Sequence, residues 1–207
     1  MPNNISIDQI KQLKELSGAG LTDAKQALVE AKGDFDKALA AMRQKGLTKA
    51  EKRVLRETRE GIIDAYIHDG RIGALLELNC ETSFVAKTDE FKQLAHQLAM
   101  QIASMNPKYI SASDIPAEII AEKTAELEKS FKGPAAKKSL IISGQVKKAF
   151  ADQILFEQPY ILDDTKTVEE FIKEAIAKTG ENITLRQFQR FELGLSEYPK
   201  KTRVKSY

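Results

Sequence analysis

The sequence predicts an α+β protein: a small three-helix bundle, then a larger α+β core with antiparallel strands and several helices. Three observations carry this. Apolar residues recur at helical spacing over residues 6–46. Strand-like runs open and close the segment 61–194, with helical periods between them. An Asp69-Gly70 pair between two such runs marks a hairpin.

In the first helix Ile7, Ile10 and Lys14 start a face, with Leu13 and Leu16 beside it. Ala24, Ala27, Leu28 and Ala31 form the stripe of the second, and Phe35, Ala38, Leu39 and Met42 that of the third. Gly18 and Gly20 break the chain after the first helix. Thr22 or Asp23 is expected to cap the second, Asp23 with Gln26 as a capping box. Gly33 and Gly46 stand where helix C-termini place glycine, so the bundle spans 1–46. Its core is thin and its stability should be marginal. Residues 47–60 are polar and basic with no wide apolar stripe. They read as a solvated helical linker rather than an RNA-binding strip.

The first strand carries Ile62, Ile63, Ala65, Tyr66 and Ile67, and the second runs from Ile72 to Cys80. Thr88 caps a long helix with Phe91, Leu94, Ala95, Leu98, Ile102 and Met105, which Asn106-Pro107 ends. A further helix follows Pro116, Gly133-Pro134 breaks the chain, and Gly144 interrupts it again before a helix from Val146 to Phe156. Thr167 opens a helix that Gly180 closes. Ile183, Leu185, Phe188, Phe191 and Leu193 form the last strand, whose apolar register slips once between Leu185 and Phe188, a sign of a bulge. The core is read as 61–194, and 195–207 as a basic mobile tail.

Composition excludes several classes. Lys plus Arg (32) nearly balances Asp plus Glu (30) in 207 residues, so direct nucleic-acid binding is not expected. No apolar run reaches the length of a membrane span, and no targeting segment is read at the start. One cysteine and two histidines exclude an internal disulfide and most Cys- or His-based metal sites. A soluble cytoplasmic protein without metal chemistry is the expectation. Nothing reads as a catalytic constellation. Gly18-Ala19-Gly20 has no strand before it, Cys80 reads as a small buried strand residue, and His96 as a boundary residue. Asp163-Asp164 and Glu169-Glu170 read as charge at a helix start. No enzyme is expected.

The informative segment is Asn79-Cys80-Glu81-Thr82-Ser83-Phe84-Val85-Ala86-Lys87. A strand ends in a polar turn bearing one large aromatic. Phe84 either folds back into its own core or anchors another protein. On the pattern alone the core is preferred.

A resemblance changes that. Ile10 to Leu28, with Leu-Ser-Gly-Ala-Gly-Leu-Thr-Asp-Ala at its centre, is similar to the N-terminal signature of the translation elongation factor Ts family. Asn79 to Lys87 resembles that family's N-C-x-T-D-F-V-A-K stretch. Glu157-Gln158-Pro159-Tyr160, Gly180-Glu181-Asn182-Ile183 and Phe191-Glu192-Leu193-Gly194 resemble further family segments in the same order. The resemblance implies a bundle of the ubiquitin-associated type and guanine nucleotide exchange on the GTPase elongation factor Tu. It implies that Thr82, Ser83, Phe84 and Val85 push toward the partner's magnesium site, and that Lys11, Leu13, Leu21 and Thr22 meet a helix of its G domain. No cofactor of its own follows, since GDP, GTP and magnesium belong to the partner. For Leu13 and Leu21 a core role remains equally open.

Ser83 stands where the family usually has Asp. Serine is expected to cap the turn but supplies no charge beside a cation. The resemblance is to short members with one core, which pair as homodimers; the strand with Phe188 and Phe191 is the expected surface. The competing readings are a helix-bundle adaptor that leaves nucleotide release unchanged, and an RNA-associated protein using Arg53, Arg56, Arg59 and the tail.

Overall fold

The computed structural model describes residues 5–17, 19–131 and 137–194. The bundle consists of α1 (Ile7–Ser17), α2 (Leu21–Glu30) and α3 (Phe35–Glu51). Leu13, Ala24, Ala27, Leu28, Ala38 and Met42 are its buried residues. Asp34 caps α3, accepting the Lys37 N–H at 3.1 Å. The start of α2 differs from expectation. Gly20 is the N-cap and no side chain caps it; Asp23 sits in the first turn and pairs with Lys45 at 3.6 Å. The carboxylate favours the helix N-terminus there without a capping bond.

Gly46 does not end α3, which continues to Glu51. The reason is tertiary. A Cβ at Gly46 would stand 3.2 Å from the Ala177 Cβ, so the missing side chain lets α3 lie close against a helix of the core. One turn later Ala50 is buried in the main core. The third helix therefore belongs to both regions.

The core follows as β1 (Glu60–His68), β2 (Ile72–Cys80), α4 (Ser83–Ala86), α5 (Asp89–Met105), α6 (Ala117–Ser130), α7 (Lys138–Phe150), β3 (Pro159–Tyr160), β4 (Asp163–Thr167), α8 (Val168–Thr179) and β5 (Ile183–Glu192). An antiparallel sheet of order β1-β2-β5 places β2 at the centre. Asp69 and Gly70, at φ 49° and 64°, make the expected hairpin turn. Gly61 lies so close to β2 that a Cβ would collide with the Leu78 carbonyl. Glu77 pairs with Gln187 and Leu78 with Leu185, leaving Arg186 as the extra residue. The bulge falls where the apolar register slips in the sequence.

Helix α5 covers one face of the sheet, burying Phe91, Leu94, Ala95, Leu98, Ala99 and Ile102. Thr88 caps it and Asn106, at φ 48°, ends it, as expected. Thr167 and Glu170 form a reciprocal capping box at the start of α8. Helices α6 and α7 pack against each other over a small cluster of Ile115, Phe150 and Ile154.

Three expectations in this region are corrected. Gly144 does not interrupt α7; it faces open space, where a glycine weakens a helix without stopping it. Helix α7 ends at Phe150, and two short 3-10 turns replace its expected extension to Phe156. Asp163-Asp164 is not helix-start charge but lies on β4, where the Asp163 carboxylate accepts the Thr165 hydroxyl at 2.5 Å. The small β3–β4 hairpin is held by buried amides. Gln101 donates to the Pro159 carbonyl (3.1 Å) and accepts the Ile161 N–H (2.9 Å), while Gln158 donates to the Asp152 carbonyl (2.7 Å). The glycine break at Gly18, the break at Gly133-Pro134 and the tail 195–207 lie outside the described residues.

Candidate partner-binding turn

Strand β2 ends at Cys80, which is fully buried. Burial, and next the nearby Glu181 charge, push its thiol up to about 11. It is neutral and shielded at physiological pH, a core residue rather than a nucleophile. Its thiol donates to the Thr82 carbonyl at 3.2 Å and so ties the start of the next turn to the strand end.

That turn is α4. Its amides close on themselves: Ala86 N–H meets the Thr82 carbonyl and Lys87 N–H the Phe84 carbonyl, both at 3.3 Å. The Thr88 hydroxyl donates to the Val85 carbonyl at 2.8 Å. Ala86 is buried and Val85 packs partly on the main core. Successive helical residues point about 100° apart, so a turn that sends 85 and 86 inward sends 84 outward. Phe84 is 83% exposed. The preference for core drawn from the residue pattern alone is thereby corrected. Phe91, at the start of α5, is the buried aromatic of this stretch.

Thr82 is the N-cap of α4, and its side chain makes no cap bond. Its hydroxyl donates instead to one oxygen of Glu181 at 2.6 Å, and its N–H to the other at 3.0 Å. Ser83, expected as the cap, is the first residue of the helix and half-buried. The reverse bond also exists: Glu81 accepts the Asn182 N–H at 2.6 Å. The buried Asn182 amide then holds the carbonyls of Arg56 (2.7 Å) and Val54 (3.2 Å), in the segment that joins bundle to sheet. In the sequence, Gly180-Glu181-Asn182-Ile183 carries only its resemblance to a family segment. No spacing rule predicts a bond across about a hundred residues; a polar Asn just before a strand's first apolar residue was the available hint.

In the bundle, Lys11, Leu21 and Thr22 are exposed, Leu21 at 56%, whereas Leu13 is fully buried. Lys11 lies in α1, and Leu21 and Thr22 open α2. The three linker arginines are engaged within the chain. Arg53 donates to the Ile176 carbonyl at 3.2 Å, Arg56 meets Glu81 at 3.4 Å and Arg59 meets Glu57 at 2.8 Å. His96, exposed by about half, faces Asp64 at 3.3 Å and the edge of the Tyr66 ring.

The sheet face turned away from α5 is apolar and exposed. Ile63, Ile67, Leu75 and Phe191 lie on it, and Leu193 follows just beyond β5. Phe188 is on the opposite face, packed against the main core. The bulge at Arg186 keeps Leu185 and Phe188 on the inward face although they are three residues apart, and the plain alternation that follows turns Phe191 outward. Among the described residues no helix is long and apolar enough to cross a membrane.

The profile of the family described as Elongation factor TS matches residues 8–195. A protein named elongation factor Ts from Thermotoga sp. (strain RQ2) is 51% identical over 192 residues, covering 92% of this chain and 96% of the relative. Elongation factor Ts from Thermoanaerobacter sp. (strain X514) is 48% identical over 195 residues, with 92% and 95% covered. That from Fervidobacterium nodosum is 45% identical over 194 residues, with 92% and 98% covered.

Proposed function

The chain belongs to the elongation factor Ts family, and on that premise we propose that it is a guanine nucleotide exchange factor for the GTPase elongation factor Tu in translation elongation. The observation that supports this best is a bare aromatic ring on a braced one-turn helix: Phe84, 83% exposed, between Thr82 and Val85, each tied to the body of the protein. The turn enters the partner's G domain beside its magnesium ion, with Thr82, Ser83 and Val85 shaping the wedge. GDP is held by backbone donors on its phosphates and by the cation that bridges them. Shifting that cation leaves phosphate charge under-compensated, and the diphosphate departs.

A thousandfold faster release requires a barrier lower by about 4 kcal/mol. Burying one Phe contributes roughly 1.5–3 kcal/mol, so the ring alone is insufficient. The remainder comes from a second surface on the bundle, made by Lys11, Leu21 and Thr22 over the buried Leu13 that holds their helices together. Coupling is reciprocal: GDP weakens this protein's binding as much as this protein weakens that of GDP. The factor needs no cofactor of its own and makes or breaks no bond. With Ser83 in place of a carboxylate, the mechanism rests on the ring and the turn rather than on charge.

The exposed sheet face fits a second copy of this chain. A contiguous apolar surface of Ile63, Ile67, Leu75, Phe191 and Leu193 on a three-stranded sheet suits another such sheet laid face to face. Sedimentation at micromolar concentration should read the mass of a dimer, and a monomer removes this assignment. The exchange function is tested by release of fluorescent GDP from elongation factor Tu. Phe84→Ala should lower the acceleration by about one to two orders of magnitude with unchanged far-UV circular dichroism. Normal exchange by that variant refutes the wedge.

A further inference from the structure

Exposed aromatic rings on four-residue helices are not held in place by the helix itself. A single turn is at the unfavourable nucleation stage and needs tertiary ties to persist. Where α4 gets those ties is therefore a functional question. On its C-terminal side the ties are local, from Thr88 and from the burial of Ala86. On its N-terminal side the strongest comes from Glu181, in the short connection between α8 and β5. That carboxylate spans both donors of Thr82, one oxygen each, at 2.6 and 3.0 Å. Charged acceptors with two donors make stronger and more directional bonds than neutral ones.

Glu181 is itself braced. Its neighbour Asn182 is 2% exposed and spends its amide on the linker carbonyls of Val54 and Arg56, while its N–H reaches back to Glu81. The two acidic residues, each just before the residue the other grips, form a reciprocal pair: Glu81 to Asn182, Glu181 to Thr82. The path from the wedge to the segment leading out of the bundle is thus continuous in hydrogen bonds.

We propose that Glu181 is a positioning residue for exchange, its bidentate grip on Thr82 fixing the direction in which Phe84 projects, with Asn182 and Glu81 holding that grip to the linker. This rests on the wedge reading above. The charge of Glu181 never meets the nucleotide; it acts through the orientation of a ring two residues beyond the residue it binds. An exchange factor whose ring wanders spends binding energy on ordering it at each encounter, so the loss appears in the maximal rate.

The test uses Glu181→Gln, which keeps the shape but removes the charge and one acceptor oxygen, so the charged two-oxygen grip on the Thr82 donors is lost. Thr82→Val is the second variant and deletes the hydroxyl from the other end of the same bond. Each is expected to lower the maximal rate of GDP release from elongation factor Tu about tenfold, the usual effect of losing a bond to a charged group. The concentration for half-maximal effect should move less than about twofold, and the thermal midpoint should stay that of a folded protein. In a Phe84→Ala background Glu181→Gln should change the rate by less than about twofold, because the ring it orients is gone. The natural chain has no tryptophan, so the indole introduced by Phe84→Trp reports the turn alone. Its fluorescence should depolarise faster once Glu181→Gln is added. Unchanged depolarisation, or a full tenfold loss that persists without the ring, overturns the proposal. The depolarisation arm needs no exchange, so it decides positioning even where normal exchange by Phe84→Ala sinks the wedge.

Discussion

The two regions of this chain are built to different depths. Among the described residues the bundle buries six side chains, three of them alanine, whereas the main core buries nineteen, with Phe91 and a dense set of leucines and isoleucines. At roughly 25 cal/mol per Å² of apolar area, alanines contribute little, so the bundle is the shallow energy well and the core the deep one. The difference teaches where order is borrowed. Helix α3 carries on past Gly46, fits against Ala177 and buries Ala50 in the deep core. A bundle with a thin interior is thus fastened at its last turn to the more deeply packed core. That arrangement suits the role proposed for this region, presenting Lys11, Leu21 and Thr22 to a partner, with stability supplied from next door.

The largest expected effect would break the comparison outright. Leu98 and Leu28 are both fully buried, one in each region. Either replacement by alanine costs about 2–5 kcal/mol. In the core, Leu98→Ala should lower the whole protein's melting temperature in one transition. In the bundle, Leu28→Ala should exceed the local reserve. Amides of α1 and α2 should then lose hydrogen-exchange protection while those of β2 and α5 keep theirs. Equal loss of protection everywhere in Leu28→Ala would mean that bundle and core are one cooperative unit, and the contrast drawn above would fall.

How much of this was legible in the sequence follows the same division between local and distant causes. Thr88 and Thr167 as helix starts, Asp69-Gly70 and the register slip between Leu185 and Phe188 all act within a few residues of where they are read. Each appears in the structure as its spacing indicates. Glycines misled where tertiary contact decides. Gly46 carries the marks of a helix stop, yet its role is an approach to Ala177, more than a hundred positions away. The β3–β4 hairpin was hidden because its support is Gln101, on a helix that local pattern assigns wholly to apolar packing. For the site, the segment 79–87 was recognisable, but the outward direction of Phe84 follows from the burial of Val85 and Ala86, which no period in so short a turn reveals. The grip of Glu181 on Thr82 was invisible for the simplest reason, a separation of 99 residues.

The smallest expected effect sharpens the comparison through pH. Cys80 is the chain's one cysteine, so the thiol titrates in the deep region and has no counterpart in the shallow one. Its pKa stands at about 11 in the folded protein against an ordinary 9.0, chiefly from burial. The folded state therefore binds this proton more tightly than the unfolded state does. Between those two values the unfolded chain has begun to lose the proton and the native chain has not. Stability from this group is complete below about pH 9 and declines as pH rises toward 11. Denaturant melts of the core should show a steeper alkaline decline in the natural chain than in Cys80→Ala, while exchange protection in α2 follows the same pH course in both. Parallel slopes for the two proteins would place the thiol in contact with water. The strand end that starts the Phe84 turn would then be looser than its hydrogen bond to Thr82 implies.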